Sequence, residues 1–340
     1  MSEYRYNLIT NRWIILAAGR GGRPFDFARR PKPSLPDYDE DCPFCPGHEQ
    51  KTPPEAFAVR PADTKADSPG WSVRVVANKY PALSIPPDTP SAIGGLESRP
   101  GHGLHEVIIE SPRHNCSFNE HETQQALLIG RTLRDRYRIH QQNPHLRLIS
   151  IFYNHGSAAG ASLAHPHFQL IAQSMIPPRL TAQLEHHRRY YHQHGRRPFE
   201  ALIEAELADG SRVIASQDHF VVLCPFASEV PFEVYLLPRQ NQNHFGMITD
   251  EMLDPFLRLL RQIINRWNEG LNHPDYNLVF HSAPADGKDY PQFRWYVQLY
   301  PRLNTPGGFE LATDIYINTV SPESAALFYR SENKFPSSPC

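Results

Sequence analysis

The chain has 340 residues, and its 34 Lys and Arg residues nearly balance its 36 Asp and Glu residues, leaving a formal net charge of −2. A hydrophobic content of 40% is enough for a sizeable core and excludes a disordered or low-complexity protein. The balanced charge argues against a general nucleic-acid binder, and no apolar run approaches the roughly 18 residues that cross a bilayer. The polar N-terminus carries no signal-peptide pattern, so the expected location is the cytoplasm, without membrane or nucleic-acid partners.

The first chemical feature along the chain is the closely spaced pair Cys42 and Cys45, which lies in a proline-rich stretch at 31–62. The chain has five cysteines, an odd and sparse set that indicates a metal or thiol site in a reducing compartment rather than a disulfide framework. One C-x-x-C supplies only two of the four ligands of a structural zinc site. A redox-active or free thiol pair therefore remains the alternative.

Beyond this pair, the hydrophobic pattern predicts strands and two long helices. Short β-branched and aromatic runs bounded by turn residues are typical of strands, and apolar residues at helical spacing are typical of amphipathic helices. In chain order, the predicted elements are a strand at 104–110, a helix at 120–142, strands at 147–153, 166–173, 220–224 and 232–237, a helix at 252–267, and strands at 277–281 and 293–300.

The second half of the chain repeats the element order of the first. In each half a strand is followed by a long amphipathic helix, a further strand, a loop and a final strand. Unrelated halves would rarely share element order, local sequence and spacing together, so we predict an internal duplication. The halves are assigned to 1–180 and 181–330, with a tail at 331–340.

The final strand of the first half carries the sequence His165-Pro166-His167-Phe168-Gln169-Leu170. Successive strand residues point to opposite faces, so His165, His167 and Gln169 share one polar face. The loop of small residues at 156–162 precedes this strand, and such a loop lets backbone N–H groups approach a phosphate, with Ser162 adding a hydroxyl donor. An isolated H-x-H is more often structural, but the loop before it and the glutamine after it favour a phosphate-handling site.

The segment from Asn154 to Gln169 resembles the histidine-triad superfamily, and more closely its galactose-1-phosphate uridylyltransferase branch. Further similar signatures are Arg12-Trp13-Ile14-Ile15 with Arg20 and Arg23, Cys42-Pro43-Phe44-Cys45, Asn78-Lys79-Tyr80-Pro81, His105-Glu106-Val107-Ile108 and Gly308-Phe309-Glu310. The resemblance implies an α+β fold of duplicated histidine-triad-like units, with a mainly antiparallel sheet flanked by helices. It also implies a homodimer with sites near the subunit boundary.

The same resemblance implies that His167 is a nucleophile. It would attack the α-phosphorus of a nucleotide sugar, release a sugar 1-phosphate, and hold the nucleotide until a second acceptor takes it in ping-pong exchange. Charge on the phosphoryl oxygens needs preorganised donors, and the candidates are Ser162, Gln169 and the backbone at 156–161. The alternative role for Gln169 is a cross-strand hydrogen bond.

The remaining site positions are also implied by the resemblance. His114 and His165 would complete a Cys₂His₂ zinc site with Cys42 and Cys45, and four protein ligands leave no position for catalytic water, so this one zinc per chain would be structural or positioning. The positions that match substrate contacts are Arg20, Arg23, Asn78, Asn154, Gly160 and Phe309. For the two arginines, which in the family can reach a neighbouring subunit's site, solvated surface charge is the alternative.

Two features separate this chain from the better-known family pattern. Arg294 and Tyr296 stand where some members carry the H-x-H of a second metal site, so no second metal is expected. The short motif G-A-S-L-x-H-P-H-x-Q is shared with relatives that use ADP-glucose and phosphate. The leading hypothesis is UDP-glucose:hexose-1-phosphate uridylyltransferase, acting with galactose 1-phosphate. The alternatives are an ADP-glucose phosphorylase or adenylyltransferase, and a catalytically silent nucleotide-binding protein.

Overall fold

The computed structural model describes residues 2–20, 35–85, 96 and 98–331. The predicted phosphate contact Arg23 lies outside the described residues, as does the predicted tail beyond residue 331. None of the described helices combines the length and the apolar content that crossing a membrane requires.

The described residues form two sheets. The smaller one has three strands, β1 (Glu3–Asn7), β2 (Arg12–Leu16) and β13 (Ile317–Asn318). The ten strands of the larger sheet are β3 (Glu55–Val59), β4 (Val73–Ala77), β5 (Gly103–Ile109), β6 (Leu148–His155), β7 (His167–Gln173), β8 (Val213–Ser216), β9 (Phe220–Leu223), β10 (Val234–Pro238), β11 (Tyr276–His281) and β12 (Tyr296–Pro301).

Six α-helices accompany these sheets in the described ranges. They are α1 (Thr123–Gln141), α2 (Pro178–His194), α3 (Pro198–Asp209), α4 (Asp250–Gly270), α5 (Gly308–Thr313) and α6 (Pro322–Arg330). The two long predicted helices are α1 and α4. Proline stands in the first turn of α2, α3 and α6, where its missing N–H costs no helical hydrogen bond.

The strand order of the larger sheet reads the same from both edges inward. It runs β3-β4-β5-β7-β6-β11-β12-β10-β9-β8, so the five strands on each side of the β6–β11 junction follow one connection pattern. Each neighbouring pair is antiparallel. The expected α+β fold with a mainly antiparallel sheet flanked by helices is therefore confirmed. The boundary at 180/181 stays a prediction, and it falls inside α2.

The two faces of the large sheet have different roles. One face packs against α1 and α4, and its core includes Phe168 and Leu170 from β7. Alternation along the strand turns His167 and Gln169 to the opposite face. The pairing register aligns Gln169 with Phe152 on β6 and, across the junction, with Val279 on β11. Residues of both halves therefore meet on the face that carries the histidine motif.

Candidate active site

His167 is the first residue of β7 and is buried on the polar face of the sheet. Its Nδ1 lies 2.8 Å from the carbonyl oxygen of His165, and since a carbonyl only accepts, Nδ1 carries the proton. Burial lowers the pKa of His167, which keeps the ring neutral. Nε2 has no hydrogen-bond partner among the described residues, so it is the unprotonated nitrogen, as attack on phosphorus requires.

Gln169 is oriented by a histidine on the neighbouring strand. His105 Nε2 lies 2.9 Å from Gln169 Oε1, and the amide oxygen can only accept, so the Gln169 NH₂ is left to donate elsewhere. Burial lowers the pKa of His105 and favours its neutral form. Asn78 Nδ2 lies 3.3 Å from the same His105 nitrogen. The cross-strand bond and the phosphate-donor role of Gln169 are therefore compatible, because they use different atoms of the amide.

The loop of small residues is folded on itself around a short 3-10 turn, Ser157–Ala159. Gly156 and Gly160 both have φ of +83°, a region that glycine adopts without strain. The N–H groups of Ala159 and Ala161 donate to the Gly156 carbonyl, and that of Gly160 donates to Ser157. The backbone N–H groups of residues 159–161 are therefore already bonded within the loop and do not donate to a phosphate. The exposed Ser162 at the end of the loop remains available as a donor.

Cys42, Cys45, His114 and His165 form a buried cluster whose ligand atoms all lie within 4.8 Å of one another. The Sγ atom of Cys45 is 3.5 Å from His114 Nδ1 and 3.7 Å from His165 Nδ1. A tetrahedral site with Zn–S bonds of about 2.3 Å and Zn–N bonds of about 2.0–2.1 Å places sulfur and nitrogen about 3.5 Å apart. The four residues therefore fit a tetrahedrally bound metal ion.

Interactions around the cluster support metal binding over a redox pair. His165 Nε2 donates to the Ser111 carbonyl at 2.9 Å, which leaves Nδ1 as the ligand nitrogen. Phe44, between the two cysteines, packs edge-on against His165 and His167 at 6.0 and 5.3 Å between ring centroids. The cysteine segment thus contacts the candidate nucleophile directly.

The other predicted substrate contacts are distributed unevenly. Asn154 lies on β6 beside the small-residue loop, where a Cβ on Gly160 would be 3.9 Å from its Nδ2. Arg20 ends the 3-10 turn Ala18–Arg20, and its side chain is not described. Phe309 is 44% exposed on α5, and no ring contact or hydrogen bond joins it to the described residues around His167. The structure therefore brings Asn78, Asn154 and Gly160 to the site and leaves the other positions as predictions.

Sequence reasoning missed three groups that support the site. His105 was part of a family signature without a role; alternation along β5 gives only its face, and its place beside Gln169 depends on the long-range pairing of β5 with β7. Asp275 and Asn277 belong to the C-terminal half and contact the small-residue loop. Nothing in the local sequence marks them, because only the β6–β11 pairing brings them there.

The corresponding face of the C-terminal half has a different set of side chains. Gln298 pairs with Tyr235 and Val279 as Gln169 pairs with Val107 and Phe152, so Tyr296 stands in the position of His167. The buried guanidinium of Arg294 donates to the Pro238 carbonyl at 3.0 Å. This face therefore lacks a histidine nucleophile at the position equivalent to His167.

Comparisons with known proteins agree on the family, and the identity to this chain differs between the relatives that they find. The family model described as galactose-1-phosphate uridyl transferase, N-terminal domain, matches residues 1–177, and a domain of unknown function, DUF4921, matches residues 113–327. An ADP-glucose phosphorylase of Arabidopsis thaliana is 34% identical over 336 residues, covering 96% of this chain and 92% of that protein. A galactose-1-phosphate uridylyltransferase of Thermotoga maritima is 26% identical over 336 residues, covering 96% and 97%.

Among solved structures, an ADP-glucose phosphorylase again matches this chain at higher identity than a uridylyltransferase does. The crystal structure of an ADP-glucose phosphorylase from Arabidopsis thaliana with bound ADP-glucose matches with a TM-score of 0.82 and 32% identity, covering 98% of this chain and 99% of that one. A uridylyltransferase structure matches with a TM-score of 0.75 at 22% identity, covering 97% and 98%, which is a likeness of fold.

Proposed function

The chain belongs to the galactose-1-phosphate uridyl transferase family, and from that premise we propose that it is a nucleotidyl-transfer enzyme whose covalent carrier is His167. The observation that carries this proposal is the imidazole itself: a buried, neutral ring with Nδ1 bonded to a carbonyl and Nε2 unbonded. Such a ring attacks phosphorus without any base to remove a proton.

The proposed reaction has two displacement steps at one phosphorus atom. In the first, Nε2 of His167 forms a bond to the α-phosphorus of the donor, and the bond to the sugar 1-phosphate oxygen breaks with its electron pair. In the second, an oxygen of the acceptor phosphate forms the bond, and the phosphorus–nitrogen bond breaks to restore neutral His167. The Nδ1–H bond to the His165 carbonyl stabilises the positive charge of the nucleotidylated ring between the two steps.

Gln169 and Ser162 are the proposed donors to the phosphoryl oxygens. The NH₂ group of Gln169 faces away from His105 and lies on the same face of β7 as His167. Ser162 stands exposed at the end of the small-residue loop, five positions before His167. Preorganised donors of this kind stabilise charge that develops in the transition state, and each is typically worth 10²–10³-fold in rate.

We propose zinc as the ion of the buried cluster. Cys42, Cys45, His114 and His165 would hold it, and when bound it supplies a cross-link between chain segments. Because four protein ligands fill a tetrahedral site, the reacting phosphate has no coordination position there. The chain's own contribution is the contact of Phe44 and His165 with the nucleophile.

For the substrates, we propose ADP-glucose as the donor and inorganic phosphate as the acceptor, giving glucose 1-phosphate and ADP. The plant ADP-glucose phosphorylase, at 34% identity and with a TM-score of 0.82, supports this choice over the leading hypothesis from sequence, UDP-glucose with galactose 1-phosphate. The second candidate remains uridylyl transfer, which the 26% identity to the Thermotoga maritima uridylyltransferase favours.

The test compares both reactions on the same purified, metal-replete protein. Release of glucose 1-phosphate is measured from ADP-glucose with phosphate and from UDP-glucose with galactose 1-phosphate. The proposal expects the higher kcat/KM for ADP-glucose with phosphate, and loss of both reactions in His167→Asn. A higher kcat/KM for the uridylyl reaction would move the second candidate to first place.

We also propose a cytoplasmic homodimer in which Arg20 and Arg23 reach the phosphates of the neighbouring subunit's site. The family resemblance of the N-terminal signature supports this arrangement. The four described cysteines form no disulfide, which suits a reducing compartment. Sedimentation velocity tests the dimer, and a monomer with full activity would exclude shared sites.

A further inference from the structure

Asp275 lies immediately before β11, in the C-terminal half, and is 3% exposed beneath the small-residue loop. Its Oδ2 accepts the backbone N–H of Ala158 at 2.7 Å. A Cβ built on Gly156 would lie 2.0 Å from Asp275 Oδ1, so the carboxylate occupies the space that a side chain at position 156 would need. The carboxylate of Asp275 therefore packs against Gly156 and bonds the backbone of Ala158 in the first turn of the loop.

Asn277, two residues further on, contacts the next part of the loop. Its Nδ2 donates to the carbonyl of Ala159 at 2.9 Å and to Oδ1 of Asn154 at 2.7 Å. Two consecutive loop residues are thus held: Asp275 accepts the N–H of Ala158, and Asn277 donates to the carbonyl of Ala159. Both groups come from the half that carries Tyr296 in place of the nucleophile.

Arg302, just after β12, fixes the orientation of these two residues. Its Nε donates to Asn277 Oδ1, and its backbone N–H donates to the Asp275 carbonyl at 2.7 Å. Because the guanidinium occupies the amide oxygen, the NH₂ of Asn277 must point toward the loop. The amide orientation is therefore set by the chemistry of its neighbours.

We propose that Asp275 and Asn277 are positioning residues for nucleotidyl transfer: they hold the 156–162 loop so that Ser162 faces the phosphoryl group beside His167. The inference rests on the proposed function of His167. It also gives the C-terminal half a role in catalysis although that half has no nucleophile at the equivalent position, since Asp275, immediately before β11, and Asn277, on β11, both bond the backbone of the loop.

The test is the single-turnover rate of nucleotidyl-His167 formation from radiolabelled donor, with donor affinity, metal content and thermal midpoint measured on the same samples. Asp275→Ala removes the acceptor for Ala158, and a displacement of about 1 Å is enough to cost roughly 100-fold in rate. We expect a loss of that order with donor affinity within a few-fold of the parent. Asp275→Asn keeps an acceptor oxygen and should recover most of the rate.

Two further variants separate positioning from general destabilisation. Glu206, on α3, is another buried carboxylate of the C-terminal half, and its Oε2 accepts from Arg212 Nε at 2.8 Å. In Glu206→Ala, His167 should be labelled at the parental rate. Asn277→Asp replaces the donor to Ala159 with an acceptor at the same shape and should slow labelling even if Asp275→Ala does not fold.

The outcomes distinguish failure of the positioning role from failure of the proposed function. If the parent protein forms no covalent adduct from either nucleotide sugar, the proposed function fails. If the parent labels and Asp275→Ala or Asn277→Asp labels as fast as Glu206→Ala, the positioning role is wrong and the function stands.

Discussion

The Nε2 atom of His167 and the NH₂ of Gln169 are both made available by hydrogen bonds at the opposite end of their own side chains. The His165 carbonyl bonds the first ring at Nδ1, and His105 bonds the amide at its oxygen. The sequence motif identifies both side chains, and it also contains the His165 carbonyl that orients His167. The orientation of Gln169 instead depends on the long-range pairing of β5 with β7, which brings His105 to its amide oxygen.

Substitution of His105 tests the orientation of the amide. In His105→Ala, Gln169 loses the donor that holds its oxygen, so its NH₂ points at the phosphate for only part of the time. We expect the single-turnover rate of adduct formation to fall roughly tenfold, equivalent to about 1.4 kcal/mol. A matched His281→Ala variant removes the equivalent bond of the C-terminal half, in which His281 Nε2 lies 2.8 Å from Gln298 Oε1, and should keep the parental rate. An unchanged rate in His105→Ala would show that Gln169 is oriented by other contacts.

Glu233 gives a pH dependence of stability that is separate from catalysis. It is fully buried, and burial together with nearby Glu229 raises its pKa to about 8. Because the pKa in the folded protein is above the unfolded value near 4.5, the stability contributed by the bound proton is complete below pH 4.5 and is lost as pH rises through about 8.

The corresponding measurement is the thermal midpoint at pH 6 and at pH 9. The parent should lose stability over this interval, and Glu233→Gln, which has no proton to lose, should lose less. The difference between the two proteins isolates Glu233 from the other titrating groups. Identical slopes for parent and variant would contradict a protonated Glu233.

At the scale of elements, the buried Cys₂His₂ cluster joins three separate segments: the stretch that contains Cys42 and Cys45, the loop after β5 with His114, and the end of the loop before β7 with His165. These segments are far apart in sequence, and a metal bound by all three would reduce their independent motion. Loss of the metal is therefore expected to affect the placement of Phe44 and His165 against His167.

Removing two ligands tests this cross-link. The double variant Cys42→Ser and Cys45→Ser should lose zinc by elemental analysis, unfold at a lower temperature and form adduct more slowly. Cys224→Ala, at a buried cysteine of the other half, should keep one zinc per chain. Zinc retained in the double variant, or missing from the parent purified without chelators, would contradict the assignment.

Glycine at the start of β5 tests how closely the central strands pair. A Cβ on Gly103 would lie 2.4 Å from the carbonyl oxygen of Ala172 on β7, whereas a Cβ on Gly101 would meet only Leu83 at 3.6 Å. Gly103→Ala should therefore lower the free energy of unfolding by about 1–3 kcal/mol in urea titrations. Gly101→Ala should change it by less than about 1 kcal/mol, and equal effects would contradict the close approach.

The elements that sequence could predict are those with a buried, periodic face. Leu253, Leu257 and Leu260 of α4 recur at helical spacing because one side of that helix packs on the sheet. Strands β1 and β2 of the smaller sheet escaped prediction, since their aromatic residues Tyr4 and Trp13 are exposed and weaken the inward pattern that Ile14 and Leu16 give. The buried contacts of α2 are made partly by His186 and His187, which bond backbone carbonyls and carry no apolar signal.

At the scale of the whole molecule, the duplicated strand order explains which parts of the site were predictable. The repeat was visible in sequence because both halves keep the same element order, and the sheet is continuous through β6 and β11. What crosses that junction was not visible: Asp275 and Asn277 act on a loop more than a hundred residues earlier. The halves thus have different roles: the N-terminal half carries the nucleophile, and the C-terminal half supports the small-residue loop beside it.

Covalent nucleotidylation of His167 is tested most directly by the mass of the intact protein after incubation with ADP-glucose or UDP-glucose, without any acceptor, followed by peptide mapping. We expect an acid-labile adenylyl group on His167 from ADP-glucose, discharged as ADP when inorganic phosphate is added, and no adduct in His167→Asn. An adduct formed from UDP-glucose alone would contradict the proposed donor, and the absence of any adduct on His167 would contradict the mechanism.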